Sequence, residues 1–238
     1  MTHLLVIAGT DSSGGAGLSR DIATAQAFGV SVCPVVTAVT AQTHGALHRI
    51  QPMPPDLIRA QIVAALDSVD ITAIKIGMLG NGESVKAVAD SLAPTGLPIV
   101  LDPVLRATSG GSLLTQAGMR VLLRDLMSLV RVVTPNLDEL TQLSGLPAAG
   151  IPTQVRALHQ QGCPGVLVKG GHDTGPESID QLFEHDGNTL LRAPRLAVQK
   201  RGTGCTLATA IACGLGRGHS LSTACRSAKT HVQTWLAC

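Results

Sequence analysis

The stretch Leu4-Leu5-Val6-Ile7-Ala8-Gly9-Thr10-Asp11-Ser12-Ser13-Gly14-Gly15-Ala16-Gly17 joins an apolar β-rich run to a glycine-rich turn and the start of a helical pattern. The helix is expected to run to about residue 28, and residues 32–39 read as the next strand. Strand, helix and strand in that order form the unit from which parallel sheets are built. The alternation continues outward. Pro54-Pro55-Asp56 opens a helix that puts Ile58, Ile62, Ala65, Leu66 and Val69 on one face. Strands over 73–76 and 98–101 flank a helix around 83–92. Thr115 is placed to cap a helix carrying Leu122, Leu126 and Leu129, which leads to a strand over 131–133. A strand over 165–169 and a hairpin over 181–191, turning at Asp186-Gly187-Asn188, come next. Helices over about 204–215 and 221–236 finish the chain. The pattern predicts an α/β fold: one domain over 1–238, with a mostly parallel, doubly wound sheet and helices on both faces. Ligands in such folds bind beyond the C-terminal ends of the strands, so the loops there are the ones to inspect.

Bulk composition narrows the function classes. Hydrophobic residues make up 45% of the 238 residues and charged residues 14%, which is enough apolar material for a complete core. A net charge of +2 gives no reason to expect a nucleic-acid or membrane-surface partner. Phe28, Phe183 and Trp235 are the only aromatics, too few for a base-stacking platform. Cys33, Cys163, Cys205, Cys213, Cys225 and Cys238 show neither CxxC pairing nor zinc spacing. The N-terminal apolar run is too short for a signal peptide, and no stretch approaches a membrane span. A reducing cytoplasm is the expected compartment.

Gly202-Thr203-Gly204-Cys205-Thr206 ends a polar stretch and opens a run of helix formers from Leu207 to Leu215. Three backbone N–H groups and a thiol at the positive end of a helix make an anion site, and the helix end is expected to lower the thiol pKa. The competing reading is a glycine-shaped turn capped by Thr203. The glycine-rich loop after the first strand fits neither the P-loop nor GxGxxG, since Arg20 stands where the last glycine belongs. Asp21, one helical turn on, and Gln42, after the second strand, suit a heteroaromatic ring bearing an amino group and ring nitrogens. Asp102 ends a strand, as a metal-site acid or a solvated one. Asn136 and Glu139 fit either a helix capping box or the organisation of magnesium and phosphate, and one residue can serve both ends. Lys169 leaves a strand into Gly170-Gly171-His172, where the glycines allow a phosphate to approach. His44, His48, His159, His185, His219 and His231 form no ligand set.

Seven stretches, in order, cover nearly the whole chain. They are Ile7 to Gly17, Thr37-Ala38-Val39-Thr40-Ala41-Gln42, Lys75-Ile76-Gly77-Met78-Leu79, Val100-Leu101-Asp102-Pro103-Val104, Thr134-Pro135-Asn136-Leu137, Lys169-Gly170-Gly171-His172 and Gly202 to Thr206. On them the chain resembles the hydroxymethylpyrimidine and phosphomethylpyrimidine kinases of thiamine biosynthesis, in the ribokinase-like superfamily. The resemblance implies a three-layer α/β/α sandwich and ATP-dependent phosphorylation of 4-amino-5-hydroxymethyl-2-methylpyrimidine and its monophosphate. It also implies ATP and Mg2+ as cofactors and a homodimer. Gly9, Ala16, Asp21, Gln42, Met78 and Val104 match positions lining the pyrimidine pocket. Asp102 and Glu139 match acids near magnesium, and Asn136 and Lys169 match nucleotide-side positions. Gly202, Thr203, Gly204 and Cys205 match the anion hole, with Cys205 as the expected base toward the substrate hydroxyl or the residue that orients it.

Departures from that pattern carry expectations of their own. Where the family reads Val-Met-x-Ala-Lys-Ser-Gly, this chain has Val104-Leu105-Arg106-Ala107-Thr108-Ser109-Gly110, so a lysine is replaced at Thr108. Arg201 replaces the usual His before the anion hole, and a C-terminal Gly-Lys-Gly segment has no counterpart up to Cys238. Arg201, with Arg106, is therefore expected on the nucleotide side, supplying the charge of the missing lysine. The second phosphorylation is expected to be the harder one, and residues 171–179 are the expected closing loop. Two rivals stand beside this reading: a pyridoxal kinase of the same superfamily, and a pyrimidine-binding protein without catalysis.

Overall fold

The computed structural model describes residues 2–106, 111–171 and 175–238. The chain begins with β1 (His3–Ala8), α1 (Gly17–Ala27) and β2 (Ser31–Val36). A hairpin of β3 (Ala38–Gln42) and β4 (Leu47–Pro52) follows, then α2 (Pro55–Ser68), β5 (Ile71–Ile76), α3 (Gly82–Leu92) and β6 (Ile99–Leu101). Next comes α4 (Gln116–Val121), continued by a π-turn and a 3-10 turn to Leu129, then β7 (Val132–Val133). The second half holds α5 (Leu137–Ser144), α6 (Ile151–Gln160), β8 (Val166–Val168), β9 (Glu177–Glu184), β10 (Gly187–Pro194), α7 (Thr203–Gly216) and α8 (Leu221–Ala237).

Eight strands form one sheet in the order β10-β9-β8-β7-β6-β5-β1-β2. The strands from β2 to β8 pair in parallel, while β9 and β10 add an antiparallel edge. Strand alternation splits the core into two layers. Leu5 and Ile7 of β1 face a cluster that includes Ile58 of α2, Val85 of α3, Leu122 and Leu126 after α4, Leu140 of α5 and Leu158 of α6. Leu4, Val6 and Ala8 face the other cluster, with Leu18 of α1, Ile211 of α7 and Ala224 of α8. The result is the expected α/β/α sandwich.

Three local expectations change. Residues 32–39 do not form one strand. Thr37, fully buried, donates its N–H to the Ala8 carbonyl at 3.0 Å and its hydroxyl to the Met78 carbonyl at 2.5 Å. Those bonds end the ladder with β1 and turn the chain into a separate two-stranded sheet of β3 and β4. The helix α6 has no counterpart among the elements expected from the sequence. It begins at Ile151-Pro152, where proline suits a first turn, and buries Gln154, Val155 and Leu158. The β9–β10 hairpin extends to 177–194 because its register pairs Glu177 with Pro194, well beyond the turn residues.

The chain passes from β1 to β2 on one side and then crosses back to β5 on the other, so the connections reverse between β1 and β5. That reversal opens a crevice at the C-terminal strand ends. Gly77 N–H donates to Ile7 O at 2.8 Å there, bringing the segments after β1 and β5 side by side.

Candidate active site

The floor of the crevice is apolar. A Cβ at Gly9 would stand 2.9 Å from the Met78 sulfur, so the glycine is what lets Met78 lie across the end of β1. Met78 packs with Ala38 and Leu113, and Val104, Leu47 and Ile50 close round them half-buried. Ala16, extended at the N-cap of α1, makes no side-chain cap. Gly9, Met78 and Val104 thus meet in one place, under the β3–β4 hairpin.

A second group gathers at the ends of β6, β7 and β8. Lys169 Nζ lies 2.9 Å from Asp102 Oδ1 and 3.5 Å from Glu139 Oε2. Burial alone would depress the Lys169 ammonium, but Asp102 and then Glu139 carry it above its ordinary range. Burial, reinforced by Asp102 and opposed by Lys169, lifts the Glu139 carboxyl above its ordinary value. Asn136 and Glu139 do form the reciprocal capping box of α5, each bond being 2.8 Å. Asn136 also lies alongside Lys169 in a parallel bridge.

The start of α7 joins this group. A Cβ at Gly204 would stand 3.2 Å from Asp102 Oδ2 and 3.4 Å from Lys169 Nζ, so the helix end is pressed against both charges. Gly202 takes a left-handed conformation at φ 81°, and a Cβ on it would strike the Gly15 carbonyl and stand 2.9 Å from Arg20 Cγ. The helix ladder begins with Thr206 N–H to Gly202 O, which leaves the amides of Thr203, Gly204 and Cys205 at the open end. Thr203 does not cap the helix: its hydroxyl donates back to Lys200 O at 2.7 Å.

Cys205 overturns one expectation. Burial pushes its thiol up to about 11, against the pull of Lys75, and the neighbouring charges of Asp21 and Asp102 add to the rise. That direction is opposite to the lowering expected of a helix end.

Asp21 is corrected as well. It is fully buried, with one oxygen 2.7 Å from Lys75 Nζ and the other accepting from Thr209 Oγ1 at 2.8 Å. With no exposed surface, the carboxylate supports the crevice from beneath instead of reading a ring. Lys75 is its counterpart. Burial would lower the ammonium, but Asp21, helped by Cys205 and Asp102, holds it above its ordinary range.

Arg201 does not join the nucleotide-side group. Its guanidinium lies 3.1 Å from Asp11 Oδ2 and donates to Ser13 Oγ at 2.8 Å, Thr43 O at 3.0 Å and Gln42 Oε1 at 3.2 Å. These partners all belong to the glycine-rich loop and the β3 tip, so the charge expected for phosphates is spent there. Arg106 is exposed and bridges to Ser112. Thr108, His172 and part of the 171–179 segment lie outside the described residues.

Lys75 and Thr209 were missed as supporting residues. The signal was present: Ile74-Lys75-Ile76 sets an ammonium inside an apolar strand, and a lysine that is buried must be paired. Asp11 and Ser13 had no readable signal, because their partner Arg201 lies far along the chain.

A family model described as phosphomethylpyrimidine kinase matches residues 11–238. The chain belongs to the phosphomethylpyrimidine kinase family. A hydroxymethylpyrimidine/phosphomethylpyrimidine kinase of Rhizobium meliloti is 41% identical over 240 residues, covering 98% of this chain and 90% of that protein. The crystal structure of phosphomethylpyrimidine kinase from Clostridium difficile 630 is 30% identical, with a TM-score of 0.85 over 99% of both chains. A pyridoxal kinase from Staphylococcus aureus, solved with pyridoxal, is 29% identical, with a TM-score of 0.89 over 99% of this chain and 88% of that one. The ribokinase-like sandwich is thus common to the family member and the pyridoxal kinase alike. Among the described residues, no helix is long and apolar enough to cross a membrane, and all six cysteines are unpaired.

Proposed function

We propose that this chain phosphorylates 4-amino-5-hydroxymethyl-2-methylpyrimidine, and then its monophosphate, with ATP, in a reducing cytoplasm and as a homodimer. The observation that carries the reading is the open end of α7 packed against Asp102 and Lys169, beside the apolar floor of Gly9, Met78 and Val104. A phosphoryl acceptor on that floor lies next to a cradle of backbone amides. The amides of Thr203, Gly204 and Cys205 stabilise charge on the phosphoryl group in transfer, and preorganised donors of this kind need no rearrangement during reaction. Cys205, as a neutral thiol, orients the hydroxymethyl group. Lys169 balances phosphate charge, and Asn136 with Glu139 fixes the loop that carries it.

The acids fit a magnesium ion brought in with the nucleotide. Thr134 and Lys169 both donate to Oδ1 of the Asp102 carboxylate, while Oδ2 faces Gly204. Such an ion would take most of its oxygens from phosphate and water. Asp102, directly, and Glu139, through water, would hold it, and the ion would neutralise charge on the phosphates.

An ADP-release assay tests the reading, run separately on the alcohol, its monophosphate and pyridoxal. Turnover on the pyrimidine alcohol well above that on pyridoxal is expected. The opposite order favours the pyridoxal reading, which the TM-score of 0.89 to a pyridoxal kinase makes the specific rival. Binding without ADP production points to the non-catalytic rival.

A further inference from the structure

Arg201 fixes which way Gln42 faces. Its guanidinium carries only donors, so the atom it meets at 3.2 Å must be the side-chain carbonyl of Gln42, Oε1. Chemistry settles the amide orientation here, since the reversed amide would set donor against donor. The rest of the network leaves Arg201 little freedom. Ser13 Oγ donates to Asp11 Oδ1 at 2.7 Å and accepts from Arg201 at 2.8 Å, while Asp11 Oδ2 lies 3.1 Å from the guanidinium. Thr43 O takes a further bond at 3.0 Å. The Gln42 backbone is held as well: its N–H donates to Ser12 Oγ and its carbonyl accepts from Ser12 Oγ, both at 2.8 Å. With the backbone fixed and Arg201 on the carbonyl oxygen, the amide turns its Nε2 donors away from Arg201.

We propose that Arg201 is a positioning residue that makes Gln42 present its Nε2 donors to the substrate ring, so that the ring edge meeting them must offer an acceptor, such as an unprotonated ring nitrogen. This rests on the pyrimidine reading of the site and narrows it. Rings that offer an N–H or O–H on that edge are disfavoured, because two donors then face each other. It also gives Arg201 a role distinct from phosphate binding, with a different kinetic signature.

The test is calorimetric titration of hydroxymethylpyrimidine, without nucleotide, into the full chain and its variants, with the Michaelis constant for ATP measured alongside. Arg201→Ala frees the amide to rotate and is expected to weaken pyrimidine binding about tenfold, leaving the ATP constant within about twofold. Gln42→Glu keeps an acceptor for Arg201 and removes the donor. It leaves the Arg201 network in place and is expected to weaken binding at least about tenfold. The double variant Arg201→Ala with Gln42→Ala should bind no worse than Gln42→Ala alone, since Arg201 acts through Gln42. Three results overturn the proposal: wild-type affinity in Gln42→Glu, losses that multiply in the double variant, or an Arg201→Ala effect confined to ATP. If the unaltered chain itself fails to bind the pyrimidine, the substrate reading falls and this inference with it. Normal wild-type binding with indifferent variants removes the inference alone.

Discussion

Replacing Asp21 by alanine strands an ammonium. Lys75 and Asp21 are both 0% exposed and 2.7 Å apart, and Thr209 holds the other carboxylate oxygen at 2.8 Å. Three elements meet at this pair, α1 through Asp21, β5 through Lys75 and α7 through Thr209. Removing one member of a buried ion pair costs about 3–5 kcal/mol, because the remaining charge has neither water nor a partner. For a chain of this size each kcal/mol lowers the melting temperature by about 2–4 °C, so Asp21→Ala should melt roughly 6–20 °C lower. Equilibrium denaturation in urea, with calorimetry alongside, measures the loss. Replacing both partners together, Asp21→Leu with Lys75→Met, removes the stranded charge and should recover most of the stability. Asp21→Ala costing under about 1 kcal/mol, or a double variant as unstable as the single one, would refute the assignment of this pair as the buried tie beneath the site.

Other outcomes follow from the same geometry. Cys205→Ala should lower turnover at least about tenfold with ATP affinity little changed, whereas Cys205→Ser, which keeps a donor, should lose only a few-fold; near-normal turnover in the alanine variant removes Cys205 from the mechanism. The thiols of buried Cys163 and half-buried Cys205 are raised to about 11, and those of buried Cys213 and Cys225 to about 12. The folded state therefore holds more protons than the unfolded one from about pH 8.5 upward, so stability should fall as pH rises through that window. A denaturation midpoint that does not fall between pH 8 and pH 10 would contradict this. Gly202→Ala should destabilise the chain and abolish most turnover, since φ 81° and the Gly15 carbonyl both exclude a side chain; melting and turnover measured together check it. Gly9→Ala should leave melting nearly unchanged but raise the Michaelis constant for the pyrimidine, because the flexible Met78 tip must shift off the new methyl.

Much of this molecule was legible in one dimension. The apolar runs around Leu4–Ala8 and Ile74–Ile76 and the helical periodicities are local, so the parallel sheet with helices on both faces follows from residue order. So does the Asn136–Glu139 capping box, whose partners are three residues apart. The separate β3–β4 sheet was not legible, because Thr37 breaks the strand through bonds to Ala8 of β1 and to Met78, just past β5.

The sequence by itself determined the layered fold, the glycine-opened start of α7 and the family to which the motifs belong. The tertiary structure alone decided the charge states and the directions of the polar groups. Burial raises the Cys205 thiol where a helix start would lower it, and Asp21 supports the crevice because Lys75 arrives beside it from β5. Arg201 turns toward Asp11, Ser13 and Gln42 because the glycine-rich loop folds over it. Each outcome depends on desolvation and on partners remote in the chain, which residue order does not encode locally.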